Sequence, residues 1–198
     1  MVDNNKIEQI RIKARENHVP ILQDASLEFI EIMLELAKPK TILEVGTAVG
    51  YSALCFSRHL QDGGKIVTME LNEEMVKIAK ENIKDNGMED VIEVVHGDAY
   101  EHMKTLDEKF DVVFIDAAKG QYLKYLEQAM RLTKKGSIII ADNVLYRGLV
   151  RSDYNEHKHR TAVNALRNYI KTVTEDKKLD STIYDIGDGV AVSYRIKD

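Results

Sequence analysis

The 198-residue sequence predicts a doubly wound α/β sheet of seven strands, mostly parallel, with helices on both faces and an antiparallel C-terminal hairpin. Three observations predict it. Short apolar runs alternate with amphipathic helical stretches from residue 41 onward, the pattern of consecutive β-α-β units. The first of those runs passes directly into a turn containing Gly46 and Gly50. The last two runs are separated by only Gly187-Asp188-Gly189, too short for a helical crossover and suited to a hairpin.

The elements follow in order. A short polar helix spans about 5–17, and Val19-Pro20-Ile21-Leu22 breaks it. Asp24 or Ser26 is expected to cap a second helix, with Leu27, Ile30, Met33, Leu34 and Ala37 at helical spacing. Strands are expected at 41–45, 65–70, 91–95, 110–115, 137–141, 182–186 and 190–196. Helices fit between them at about 50–61, 72–86, 99–106, 119–133 and 155–175. Asn72 followed by Glu73 and Glu74 reads as an N-cap with an acidic first turn, and Gly87 as the residue that ends that helix. No linker, repeat or low-complexity tract interrupts the pattern, so one domain is expected over 1–198, with 1–37 as its helical N-terminal part.

Composition narrows the function classes. With 44% hydrophobic and 31% charged residues the chain is globular rather than disordered. No apolar run reaches membrane-spanning length, and the stretch from Met1 to Arg15 is too polar for a signal peptide, so a cytoplasmic protein is expected. The single cysteine, Cys55, excludes an internal disulfide and a cysteine-based zinc cluster. The net charge of −5 argues against indiscriminate nucleic-acid binding, although a local basic patch remains compatible with RNA.

Ile42-Leu43-Glu44-Val45-Gly46-Thr47-Ala48-Val49-Gly50-Tyr51-Ser52 reads as a buried strand, a glycine turn and a helix start. The glycine spacing is neither G-x-G-x-x-G nor a P-loop, which disfavours a nicotinamide-dependent oxidoreductase. Glycines let a backbone approach a ligand closely, and helix N-terminal amides favour its carboxylate. Glu44, at the end of an apolar strand, is costly to desolvate unless it meets a cation or ammonium group. Glu70 ends the next strand, where an acid suits the two hydroxyls of a ribose. A tight turn beside two solvated acids is the plainer alternative.

Together with Met69-Glu70, this segment resembles the cofactor site of class I S-adenosylmethionine methyltransferases, a Rossmann-like family. The resemblance implies S-adenosylmethionine as cofactor, held by Leu22, Glu44, Gly46, Thr47, Ser52 and Glu70. Gly97-Asp98-Ala99 matches the family's third strand end, which adds Asp98 and Ala99 beside the adenine.

Asp116 follows the fourth apolar run, and Asp142-Asn143 follows the fifth. If those strands are neighbours, two carboxylates and an amide oxygen converge at the carboxyl edge of the sheet, where open α/β folds bind ligands. Oxygen donors without His or Cys suit Mg²⁺ or Mn²⁺ rather than zinc. Lys119, three residues beyond Asp116, is placed to lean over the same point and take a proton from a hydroxyl acidified by the cation. Turn-forming acids and a surface lysine are the plainer reading of each residue taken singly. The set Asp116-x-x-Lys119-x-x-Tyr122 plus Asp142-Asn143 resembles the metal-dependent O-methyltransferases related to catechol and caffeoyl-CoA enzymes. It implies Asp116, Asp142 and Asn143 as metal ligands, with Asp116 also near the cofactor. Lys119 and Asp116 are implied as catalytic, and Tyr122 and Arg147 as acceptor contacts.

Between Arg147 and Lys171 there are six Lys/Arg against two acids, a local +4. A solvated helix face is the plain reading. A positive rim just after the expected ligands would instead hold phosphates without reading bases. The run from Asp142 to Tyr154, the basic stretch and Ile186-Gly-Asp-Gly-Val-Ala-Val-Ser together resemble the bacterial tRNA 5-hydroxyuridine methyltransferases. That resemblance implies the tRNA anticodon region as partner, wobble 5-hydroxyuridine as acceptor, and a homodimer. A small catechol-like or CoA-linked phenol is the alternative acceptor, and a non-catalytic cofactor- or RNA-binding protein the alternative from another class.

Overall fold

Two helices, α1 (Asn4–Glu16) and α2 (Asp24–Ala37), precede the first strand in the computed structural model, which describes residues 3–153 and 156–198. Neither expected residue caps α2. Its N-cap position is Gln23, Ser26 is fully buried, and Asp24 lies in the first turn, where its carboxylate meets Arg11 at 3.1 Å and Arg15 at 2.6 Å. The acid is used as an ionic tie to α1 instead. Left-handed Lys38 (φ 45°) and then Pro39 stop α2 just before β1 (Thr41–Val45).

The chain forms two compact units, Met1–His102 and Met103–Asp198. In the first, β1, β2 (Lys65–Glu70) and β3 (Ile92–His96) run parallel in the order β3-β2-β1. Ile42, Leu43, Glu44 and Val45 each have 0% exposure, as a strand covered on both faces requires. After β1 the helix α3 (Tyr51–Phe56) is shorter than the sequence suggests and tightens into a 3-10 turn at Ser57–His59. Helix α4 (Glu73–Asp85) has the predicted ends. Asn72 Oδ1 accepts from the amides of Glu74 and Met75, and Gly87 (φ 65°) follows the C-cap.

The second unit holds β4 (Val112–Ile115), α6 (Tyr122–Leu132), β5 (Ile138–Ala141), α7 (Arg160–Glu175), β6 (Leu179–Tyr184) and β7 (Val190–Arg195); α5 (Ala99–Thr105) lies just before β4. Its strands are ordered β4-β5-β7-β6, parallel between β4 and β5 and antiparallel on both sides of β7. The hairpin is present as expected, but β6 begins three residues earlier and ends two residues earlier than its apolar run suggested. Pairing of Leu179 with Arg195 and Tyr184 with Val190 fixes its register, which leaves 185–189 as the connection. Helix α7 begins at Arg160, and the expected start at Asn155 lies outside the described residues. No helix among the described residues is long and apolar enough to cross a membrane.

Val163, Leu166, Tyr169 and Val173 give α7 its buried stripe, each contributing about 1.5–3 kcal/mol of apolar burial. Tyr169 packs edge-on to Tyr122 with ring centroids 5.6 Å apart, yet among the described residues its buried hydroxyl has no hydrogen-bond partner. An unsatisfied buried hydroxyl costs about 1–3 kcal/mol of desolvation. Tyr169→Phe is therefore expected to leave stability unchanged or raise it by about 1 kcal/mol; a clear loss in urea unfolding would show that the hydroxyl is satisfied in solution.

Candidate active site

The glycine turn of the first unit places three residues in the left-handed region within five positions: Gly46 (φ 102°), Ala48 (φ 45°) and Gly50 (φ 80°). Hydrogen bonds from two sides maintain that backbone. Gly46 N donates to Met69 O at 3.0 Å, and Ala48 N donates to Glu70 Oε2 at 2.9 Å. Glu70 Oε1 accepts from Asn72 N, also at 2.9 Å. The acid expected to meet a ribose thus also braces the turn, using one lone pair on each oxygen. Glu70→Ala removes the acceptor that holds strained Ala48. It is expected to weaken cofactor binding about tenfold, read as a reduced ligand-induced shift in melting temperature.

Glu44 is completely buried, its two oxygens accepting from Ser52 Oγ and Thr68 Oγ1, both at 2.5 Å. Because Thr68 donates to Glu44, the 2.6 Å contact between Thr47 Oγ1 and Thr68 Oγ1 runs from Thr47 to Thr68. Thr47, Thr68, Glu44 and Ser52 form one hydroxyl–carboxylate chain beneath the turn. Sequence reasoning named three of its members and missed Thr68, which becomes visible only through the register that sets Glu44 beside it. Asp98 caps α5, its Oδ1 accepting from Glu101 N at 3.1 Å, and Ala99 opens that helix. Leu22 is buried in the segment before α2.

In the second unit Asp116, Lys119, Tyr122, Asp142 and Asn143 form one connected group, and Arg147 stands outside it. Asp142 N donates to Ile115 O at 3.0 Å, which joins the ends of β5 and β4. Lys119 Nζ donates to Asp116 Oδ1 at 2.8 Å and to Tyr122 Oη at 2.9 Å, and Tyr122 Oη donates onward to Asp142 O at 2.8 Å. Asp142 has 0% exposure and accepts from Asn143 Nδ2 at 2.6 Å, while Asn143 is held left-handed (φ 57°). Burial, reinforced by the nearby charges of Asp116 and Asp142, pushes the Tyr122 phenol well above its ordinary range, so it remains a donor.

Tyr122 requires a correction. It is completely buried, with its hydroxyl occupied on both sides, so it supports Lys119 and Asp142 rather than facing an acceptor. Arg147 is exposed and left-handed (φ 56°), and its amide is taken by the Asp188 carboxylate.

Among the described residues no three His, Cys, Asp or Glu side chains come together as a metal cluster. The expected donor set does not need one: it is two carboxylates completed by an amide. Lys119 bridges Asp116 Oδ1 and the Tyr122 hydroxyl, that hydroxyl donates to the backbone carbonyl of Asp142, and Asn143 Nδ2 donates to the Asp142 carboxylate. Hard oxygen donors in that composition fit a divalent cation such as Mg²⁺ or Mn²⁺.

A profile of the family described as O-methyltransferase matches residues 3–196. The chain belongs to that O-methyltransferase family. Among curated relatives, this O-methyltransferase is 32% identical over 160 residues to a catechol O-methyltransferase of Niastella koreensis, covering 79% of the chain and 71% of the relative. It is 30% identical over 179 residues to a caffeoyl-CoA O-methyltransferase of Eucalyptus gunnii, covering 86% and 72%. Among solved structures it is similar to a Staphylococcus aureus protein provisionally described as a caffeoyl-CoA O-methyltransferase, with 33% identity, a TM-score of 0.88 and coverage of 96% and 91%. It is also similar to a Bacillus cereus O-methyltransferase in complex with SAH, with 26% identity, a TM-score of 0.87 and coverage of 98% and 91%. The fold is the Rossmann-like methyltransferase fold, with seven strands, mostly parallel, and an antiparallel C-terminal hairpin. The protein is an S-adenosylmethionine-dependent O-methyltransferase.

Proposed function

We propose that the protein transfers the methyl group of S-adenosylmethionine to one of two neighbouring oxygens on its acceptor, with a divalent cation held by Asp116, Asp142 and Asn143. The observation that carries this reading is the continuous Asp116–Lys119–Tyr122–Asp142 chain in a member of the O-methyltransferase family. When bound, such a cation lowers the pKa of a coordinated hydroxyl. Lys119 Nζ is the group that takes the hydroxyl proton, and Tyr122 fixes the position of that nitrogen. Glu44, Glu70 and the glycine turn hold the cofactor's polar parts, with Leu22, Asp98 and Ala99 contributing further contacts.

A catechol-like or CoA-linked phenol is the better supported acceptor, since catechol and caffeoyl-CoA enzymes are the named relatives. The second reading is wobble 5-hydroxyuridine in tRNA, whose 5-hydroxyl and O4 are neighbours as in a catechol. The basic segment and the Asp142–Tyr154 motif favour it, although Tyr154 lies outside the described residues. Two of the six basic residues have other work: Arg151 pairs with Asp185, and Arg167 binds backbone carbonyls.

Catechol, caffeoyl-CoA and tRNA carrying 5-hydroxyuridine, each assayed with Mg²⁺ and with chelator, discriminate the readings. The expected result is chelator-sensitive methylation of a phenol. Methylation of the tRNA alone would move the assignment to the second reading. Undiminished transfer after complete metal removal would overturn both, and absence of turnover with all three would exclude these acceptors and send the search to another class of hydroxyl.

A further inference from the structure

The segment that follows Asp142 contains three non-glycine residues in the left-handed region: Asn143 (φ 57°), Tyr146 (φ 45°) and Arg147 (φ 56°). L side chains disfavour that region, so such a backbone persists only where its surroundings over-determine it. Here the surroundings act from two flanks.

The first flank is the connection between β6 and β7. Val144 N donates to Gly189 O at 2.9 Å, Leu145 N donates to Asp188 O at 2.9 Å, and the Asp188 carboxylate accepts from Arg147 N. Gly189 (φ 89°) permits this approach, since a Cβ there would lie 2.3 Å from Leu145 Cγ. The second flank is α7. Arg167 donates to the carbonyls of Val150 at 3.0 Å, Leu149 at 3.3 Å and Ser152 at 2.5 Å. One planar guanidinium thereby closes three acceptors of a single loop, which the point charge of a lysine would not match. At the start of α7, His159 Nδ1 lies 3.2 Å from Tyr146 Oη, with the two rings edge-on.

We propose that Arg167 and Asp188 are positioning residues for the acceptor side of the reaction, fixing the 143–152 segment from both flanks so that Asn143 keeps the backbone its ligand role needs. The inference rests on the reading of Asp142 and Asn143 as a ligand pair. It also gives Arg167, conspicuous in the sequence as part of a basic patch, a role inside the protein.

Arg167→Met keeps an unbranched apolar stem and removes every donor. Asp188→Ala removes the acceptor, and Asp188→Asn restores one. Arg167→Lys is a milder variant should Arg167→Met fold poorly. Three quantities are read: amide hydrogen exchange of peptides spanning 144–152, Mn²⁺ affinity by calorimetry without acceptor, and acceptor KM beside kcat. In Arg167→Met and Asp188→Ala, exchange across 144–152 is expected to rise about tenfold. Mn²⁺ affinity should fall, and acceptor KM should rise, by a similar factor. Exchange in α4 and the melting shift induced by SAH should stay as in the parent, and Asp188→Asn should recover most of the loss.

Unchanged exchange across 144–152 would overturn the proposal. So would faster exchange with parental Mn²⁺ affinity, because a loosened segment would then have no consequence for Asn143. Loosening throughout residues 103–198 would also overturn it, as general destabilisation. Failure of the parent protein to bind Mn²⁺ would instead sink the ligand reading; the exchange arm would still decide whether Arg167 and Asp188 hold the segment.

Discussion

Asp142→Asn is expected to lower turnover by about a thousandfold and to weaken Mg²⁺ and Mn²⁺ binding by roughly a hundredfold or more. A thousandfold corresponds to about 4 kcal/mol of lost transition-state stabilisation. Hydrogen-bond partners behind metal ligands are worth 10–100-fold in metal affinity, so loss of a charged ligand should exceed that. Asparagine is preferred to alanine because Asp142 is completely buried and accepts from Asn143 Nδ2, while Tyr122 binds its backbone carbonyl. The amide keeps the volume and can turn its oxygen to Asn143, so unfolding free energy should fall by no more than about 1–2 kcal/mol. Mg²⁺-dependent initial rates and Mn²⁺ calorimetry on the folded variant give the test. An unchanged dependence of rate on Mg²⁺ would remove Asp142 from the ligand set.

What the sequence disclosed and what it concealed divide along physical lines. β1 and β2 have the predicted bounds because local chemistry marks both ends: Pro39 and Gly46 for the first, Gly64 and Asn72 for the second. β6 was displaced because its outward residues are polar and its limits come from pairing with β7, a long-range contact. The acids at strand ends were legible as a group, since their positions after apolar runs require only secondary structure. Their partners were not. Thr68 joins Glu44 through strand register, and Tyr122 is recognised as a support only when its burial is known. Arg167 was the most misleading residue: on an amphipathic helix among other basic residues it reads as solvated or phosphate-binding, and its three carbonyl partners come from a loop without regular structure. Charge can be counted from sequence, but whether a charge faces solvent or a backbone turn depends on the path of the chain around it.

Lys119→Met is expected to reduce kcat by roughly 10²–10⁴-fold, the range over which a positioned general base acts, while cofactor affinity stays within about twofold. The side chain is largely buried, and Nζ bridges Asp116 and Tyr122, so its position is set by two hydrogen bonds rather than by chance on a surface. Arginine separates proton transfer from electrostatics. It supplies the positive charge and can still reach Asp116, but it does not release its proton in a protein, so it cannot serve as the base. Lys119→Arg should therefore be nearly as impaired as Lys119→Met. If arginine restored most of the activity, Lys119 would be an ion-pair partner of Asp116 with no part in removing the proton. A second measurement isolates the same step: a nitro-substituted catechol, with its more acidic hydroxyl, relies less on a base. The ratio of parent to variant rates should shrink markedly for that acceptor. Equal losses for strongly and weakly acidic acceptors would place the defect of the variant somewhere other than proton transfer.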